Sequence, residues 1–70
     1  MITHEDGAYS VRLPAMTSLE RQLCKSAHGW CYMKFGDPDR GLWVWGPDLK
    51  TEVFGFRSME DAVEFQMIWL

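Results

Sequence analysis

The sequence predicts an α+β fold: a three- to four-stranded antiparallel sheet with two helices packed on one face, in the order β-α-β-β-β-α. Three observations carry this reading. Two helical stripes begin at recognisable caps, Thr17 and Ser58. Between them lie short apolar runs separated by the turn-rich stretches GDPDRG and GPDLK. The composition is that of a folding chain, 47% hydrophobic with four Trp, four Phe and two Tyr, far from the signature of disorder. Seventy residues suffice for one domain, residues 1–70, whose core supplies only about 3–5 kcal/mol.

Residues 1–7 are polar and read as a flexible, frayed start. Tyr9, Val11 and Leu13 then alternate with Ser10 and Arg12 in the period of a half-buried strand, closed by Pro14. Thr17 and Glu20 have capping-box spacing, and Leu19, Leu23, Cys24 and Ala27 fall on one helical stripe that Gly29 can end. The expected helix runs from Ser18 to His28. Three strands should follow, over 30–35, 42–45 and 51–56, because Gly, Pro and Asp populate the stretches between them. Ser58, with Asp61 three residues on, caps a helix from Met59 towards Leu70 that should bury Ala62, Val63, Phe65 and Trp69.

Parity assigns the faces of the expected sheet. A six-residue loop GDPDRG sets Phe35 opposite Leu42 and Met33 opposite Val44. Pairing that keeps Val44 on the side of Phe54 adds Phe54 and Phe56, and Cys31 belongs with them: an apolar floor for both helices. The other face then collects Trp30, Tyr32, Lys34, Trp43, Trp45, Val53, Gly55 and Arg57. Either the first strand, a loop or the N-terminal segment folds across that face, or its tryptophans simply pack on the stems of Lys34 and Arg57, or it is an open aromatic patch for a protein partner or a second copy. Trp30, Tyr32, Lys34, Trp43, Trp45 and Arg57 are the candidate partner-binding residues.

Chemistry is sparsely signalled. A formal net charge of −3 and only seven Lys and Arg argue against a general polyanion binder. Cys24, His28 and Cys31, with His4, could form a zinc site, but the irregular spacing favours two buried thiols and a histidine at a helix C-terminus. Cys24 lies on the core stripe, where a thiol is inert rather than nucleophilic. Asp37, Asp39 and Asp48 suit turns better than a cation site. No phosphate loop, Ser–His–Asp order or paired-carboxylate pattern is visible, so no enzyme activity, cofactor or metal is expected. The N-terminus lacks a basic region followed by an apolar run, and no stretch approaches about 18 apolar residues. A soluble cytoplasmic protein without a membrane role is expected, and the two cysteines fit a reducing compartment.

Three resemblances add to this reading. The stretch VFGFRSMEDAVEF resembles the third strand and second helix of the RNA-recognition motif, where an aromatic Gly-Phe strand leads into an Asp-Ala helix. That family's strand continues to another aromatic residue, whereas here Arg57 and Ser58 enter the helix directly. Over residues 17–70 the helix, three strands, helix order is similar in topology to the double-stranded RNA-binding domain. That domain grips phosphate with lysines at the start of its last helix, where this chain has Met59, Glu60 and Asp61, and an acidic helix start repels phosphate. The ending FGFRSMEDAVEFQMIWL resembles the tails of small proteins of tailed phages. This implies a phage accessory protein, working in the host cytoplasm, that binds and inhibits or redirects a host or phage protein. The expectation is a small protein-interaction module; the alternative is a single-stranded nucleic-acid binder that stacks bases on Trp43 and Trp45 beside Lys34 and Arg57.

Overall fold

The computed structural model describes residues 2–5 and 7–70. Along the chain come β1 (Ile2–Glu5), β2 (Ala8–Pro14), α1 (Ser18–Phe35), a 3₁₀ turn (Pro38–Arg40), β3 (Trp43–Asp48), β4 (Thr51–Phe56) and α2 (Met59–Trp69). The four strands form one antiparallel sheet in the order β1-β2-β4-β3. The α+β architecture is therefore the expected one, a four-stranded sheet with two helices, although one strand precedes α1 instead of following it. The segment read as a frayed start supplies that strand, since Ile2–Glu5 pairs with β2; Met1 and Asp6 lie outside the described residues.

The first helix begins where its cap predicts. Thr17 accepts from the Glu20 backbone N–H, and the Glu20 carboxylate accepts in return from the backbone N–H groups of Thr17 and Met16. It does not end at Gly29. The helix runs on to Phe35, so the strand expected over 30–35 is helical. A glycine inside a helix costs about 1 kcal/mol relative to alanine, and the continued stripe outweighs it. Cys24, Ala27, Cys31 and Phe35 recur at helical spacing and are all buried, and burying a side chain the size of Phe contributes about 1.5–3 kcal/mol. The chain stops at Gly36, whose φ of 84° is open to glycine and uncommon for other residues.

A two-residue turn decides which side of β3 faces the core. Asp48 pairs with Thr51 across Leu49 and Lys50, which places Trp43 opposite Phe56, Val44 opposite Gly55 and Trp45 opposite Phe54. Odd positions of β3 thus share a face with the even positions of β4, the reverse of the expected assignment. Trp43 is buried at 1% exposure, whereas Met33, Leu42 and Val44, expected in the floor, are 92%, 43% and 57% exposed. Val44 instead lies on the opposite face against Gly55, where an added Cβ would stand 2.9 Å from the Val44 Cγ2.

The core is closed by Val11 and Leu13 of β2, Trp43 of β3, Phe54 and Phe56 of β4, the α1 stripe, and Ala62 and Phe65 of α2. Phe65 sits at its centre, with ring centroids 4.8 Å from Phe54 and 5.1 Å from Phe56. Val63, expected to be buried with Ala62 and Phe65, is 37% exposed. No helix among the described residues is long and apolar enough to cross a membrane.

Candidate interaction surface

The six residues expected on one sheet face are distributed over the molecule. Trp43 belongs to the core, its indole N–H donating to the Gly36 carbonyl at 2.9 Å. Trp30 lies on α1 against the second helix, its ring centroid 6.0 Å from Phe65 and 6.4 Å from Trp69. Lys34, also on α1, pairs with Glu64 of α2 and sits 5.1 Å above the Trp30 ring. Arg57 follows β4, its backbone N–H donating to the Leu42 carbonyl. Only Tyr32 and Trp45 remain on one accessible surface, where each ring meets that of His28.

This surface forms where one flank of α1 overhangs the edge strand β3. His28 presents its ring to three aromatic neighbours, at centroid distances of 5.0 Å to Tyr32, 5.3 Å to Trp43 and 5.0 Å to Trp45, all edge to face. Tyr32 is in turn edge-on to Trp43 at 5.2 Å. Such pairs favour edge-to-face geometry because the electropositive ring edge meets the electron-rich face. Tyr32 and Trp45 are 43% and 42% exposed. The Trp45 indole N–H donates to the Glu52 carboxylate at 2.7 Å, fixing the ring across the strand edge. Arg21, Lys25, His28, Trp45 and Glu52 line one shallow groove. Arg21, Lys25 and His28 stand four and three residues apart, the spacing of one helix face.

The arrangement offers an aromatic platform rimmed by two cations and one carboxylate. Arg21 and Lys25 escaped the sequence reading, and His28 entered it only as a metal candidate, because the expected sheet places Trp45 on the side away from the helices. Their helical spacing was the available signal, once Trp45 was placed on the helix side of the sheet.

The residues weighed for metal or thiol chemistry do not converge. Cys24 and Cys31 are both in the core, while His4 stacks on Tyr9 at 4.3 Å and His28 lies under the rings just described. Among the described residues no group of three or more His, Cys, Asp or Glu could hold an ion. Burial, with the nearby Glu52 carboxylate, pushes the Cys24 thiol up to about 11, and burial alone pushes Cys31 up to about 12, so neither is a thiolate at neutral pH. Asp37 caps the 3₁₀ turn by accepting from the Asp39 backbone N–H, and Asp48 pairs with Arg12 on the open sheet face at 2.6 Å.

A second accessible surface was not foreseen. The outer side of α2 exposes Met59, Val63, Met67 and Ile68, although the sequence shows three of these at intervals of four residues. The chain matches no family model, and no curated protein or solved structure matches it.

Proposed function

We propose that this chain is a small non-enzymatic protein-interaction module that works through the edge formed by Tyr32, His28 and Trp45. The supporting observation is that Trp45 is half-exposed yet already held by its bond to Glu52 and by the His28 ring. An aromatic anchor fixed before binding loses little rotamer freedom when a partner arrives. Tryptophan and tyrosine dominate the energetics of protein interfaces. The phage-like ending makes a bacterial host protein, met in the cytoplasm, the first partner class to screen, with a second copy of the chain as the other.

Single-stranded nucleic acid is the second reading, supported by the position of Arg21 and Lys25 beside the rings. Bases stack on such platforms, and the two cations would meet phosphate. Salt separates the two readings. Apolar burial against a protein weakens little with added salt, whereas phosphate binding falls steeply.

The experiment uses wild-type protein and Trp45→Ala as paired baits in a bacterial lysate, with melting curves of both and light scattering of the free protein. A captured protein whose affinity falls about tenfold or more in Trp45→Ala, with the fold intact, is the expected outcome. Equal capture by the two baits overturns the reading. Salt-sensitive binding of single strands that depends on Arg21 and Lys25 replaces it with the second.

A further inference from the structure

The outer side of α2 has a composition unusual for the solvent side of a surface helix, which is ordinarily polar. Met59, Val63 and Met67 stand at i, i+4 and i+8, on one face, and are 57%, 37% and 80% exposed; Ile68 beside them is 50% exposed. These four line one shallow groove together with Glu60 and Glu64. The helix carries three carboxylates, Glu60, Asp61 and Glu64, and no Lys or Arg. Glu64 engages Lys34, while Glu60 makes no ion pair among the described residues. The surface is therefore apolar, rich in adaptable methionine, and bordered by negative charge.

Charge selects among the occupants of such a face. A second copy docking α2 against α2 would set carboxylates against carboxylates, and like charges facing one another at an interface are costly. An anionic lipid surface is repelled for the same reason, because helices that lie on it carry Lys and Arg on their polar side. A helix with an apolar stripe between Lys and Arg residues satisfies both features, in the manner of amphipathic helices laid on apolar grooves. We infer that the outer face of α2 docks a basic amphipathic helix of a partner protein, with the partner's apolar stripe on Met59, Val63 and Met67 and a cation on Glu60, the carboxylate of this groove that Lys34 leaves unpaired. This site is separate from the Tyr32–Trp45 edge and stands or falls independently of it.

The probe is a fluorescein-labelled helical peptide of leucine and lysine, with leucine on one face and lysine on the other, titrated with the full chain and read by anisotropy. Two further peptides serve as controls: one of the same composition with leucines scattered around the helix, and one with glutamate in place of every lysine. The lysine amphipath should bind, with both controls about tenfold or more weaker. Met67→Ser and Glu60→Gln should each weaken it while circular dichroism shows both variants folded, because both side chains lie on the surface, and Trp45→Ala should leave it unchanged. Equal binding of the scattered or the glutamate peptide overturns the inference, as does undiminished affinity in Met67→Ser. A wild-type dimer that Met67→Ser converts to monomer would assign the face to a second copy. Adsorption to phosphatidylglycerol vesicles lost in the same variant would assign it to lipid, and either result overturns the inference.

Discussion

Along α1, three cations and one carboxylate accompany an aromatic edge whose two indole N–H groups are hydrogen-bonded, whereas α2 combines three carboxylates with exposed Met59, Val63, Met67 and Ile68. The two helices cover the same face of one sheet, yet they complete their flanks differently. Beside α1, the indole N–H groups of Trp43 and Trp45 donate to Gly36 and Glu52. Beside α2, the Trp69 indole N–H is buried with no hydrogen-bond partner among the described residues. Their N-termini differ too: a reciprocal capping box at Thr17 and Glu20, against a single Ser58 hydroxyl accepting from the Glu60 backbone N–H. The contrast separates two ways of presenting apolar surface: rings pre-set by hydrogen bonds on one flank, flexible aliphatic side chains on the other.

The largest expected effect tests whether the α1 flank is anchored by its inner tryptophan. Trp43→Ala removes a buried indole and orphans the Gly36 carbonyl, at a cost of about 3–5 kcal/mol. That equals the whole stability expected of a domain this size, so circular dichroism should show an unfolded chain at 25 °C; a folded Trp43→Ala would break the distinction drawn between Trp43 and Trp45.

Cap removal compares the two helix starts directly. Thr17→Ala should lower stability in urea titrations by about 1–2 kcal/mol, towards the upper end of the range for caps, and Ser58→Ala by less. An equal loss would mean that the reciprocal Glu20 bonds add nothing. On the other flank, Trp69→Phe keeps most of the ring and removes the unmatched N–H. Relief of that group offsets the lost volume, so the change in stability should stay within ~1 kcal/mol; a larger loss would show that the N–H is matched after all.

The smallest effect concerns pH. Backbone N–H bonds from Thr17 and Met16 hold the Glu20 carboxyl below its ordinary value. A carboxyl depressed in the folded state binds its proton less readily there than in the unfolded chain. Its contribution is therefore present above the ordinary glutamate value of about 4.3 and is lost as pH falls below it. Melting temperatures of wild type and Glu20→Gln should converge between neutral pH and pH ~3, because only wild type has that contribution to lose. Parallel curves would place the capping box outside the acid response.

Much of this architecture was legible because it rests on local chemistry. Thr17 and Ser58 announced both helix starts through the backbone N–H groups they satisfy, and Tyr9–Val11–Leu13 announced a strand through a period of two. The candidate surface was legible only in Tyr32 and Trp45. Its other members depend on which side of β3 meets α1, and that side was set by two residues of turn. Pro47, read as part of a loop, lies within the edge strand β3, where proline is tolerated; the loop shrinks to Leu49 and Lys50, and the parity of every pair reverses.

By itself, then, the sequence determined where helices begin, where the chain turns, and that a small sheet must be covered by two amphipathic helices. Those features are decided within a few residues, by caps, turn chemistry and periodicity. Only the tertiary structure decided that α1 passes through Gly29, that Ile2–Glu5 becomes an edge strand, and that Trp43 goes inward while Val44 goes out. Each of these choices costs little locally, about 1 kcal/mol at Gly29, and each is governed by apolar burial among residues far apart in the chain, such as Phe35 beside Phe56 at 5.7 Å.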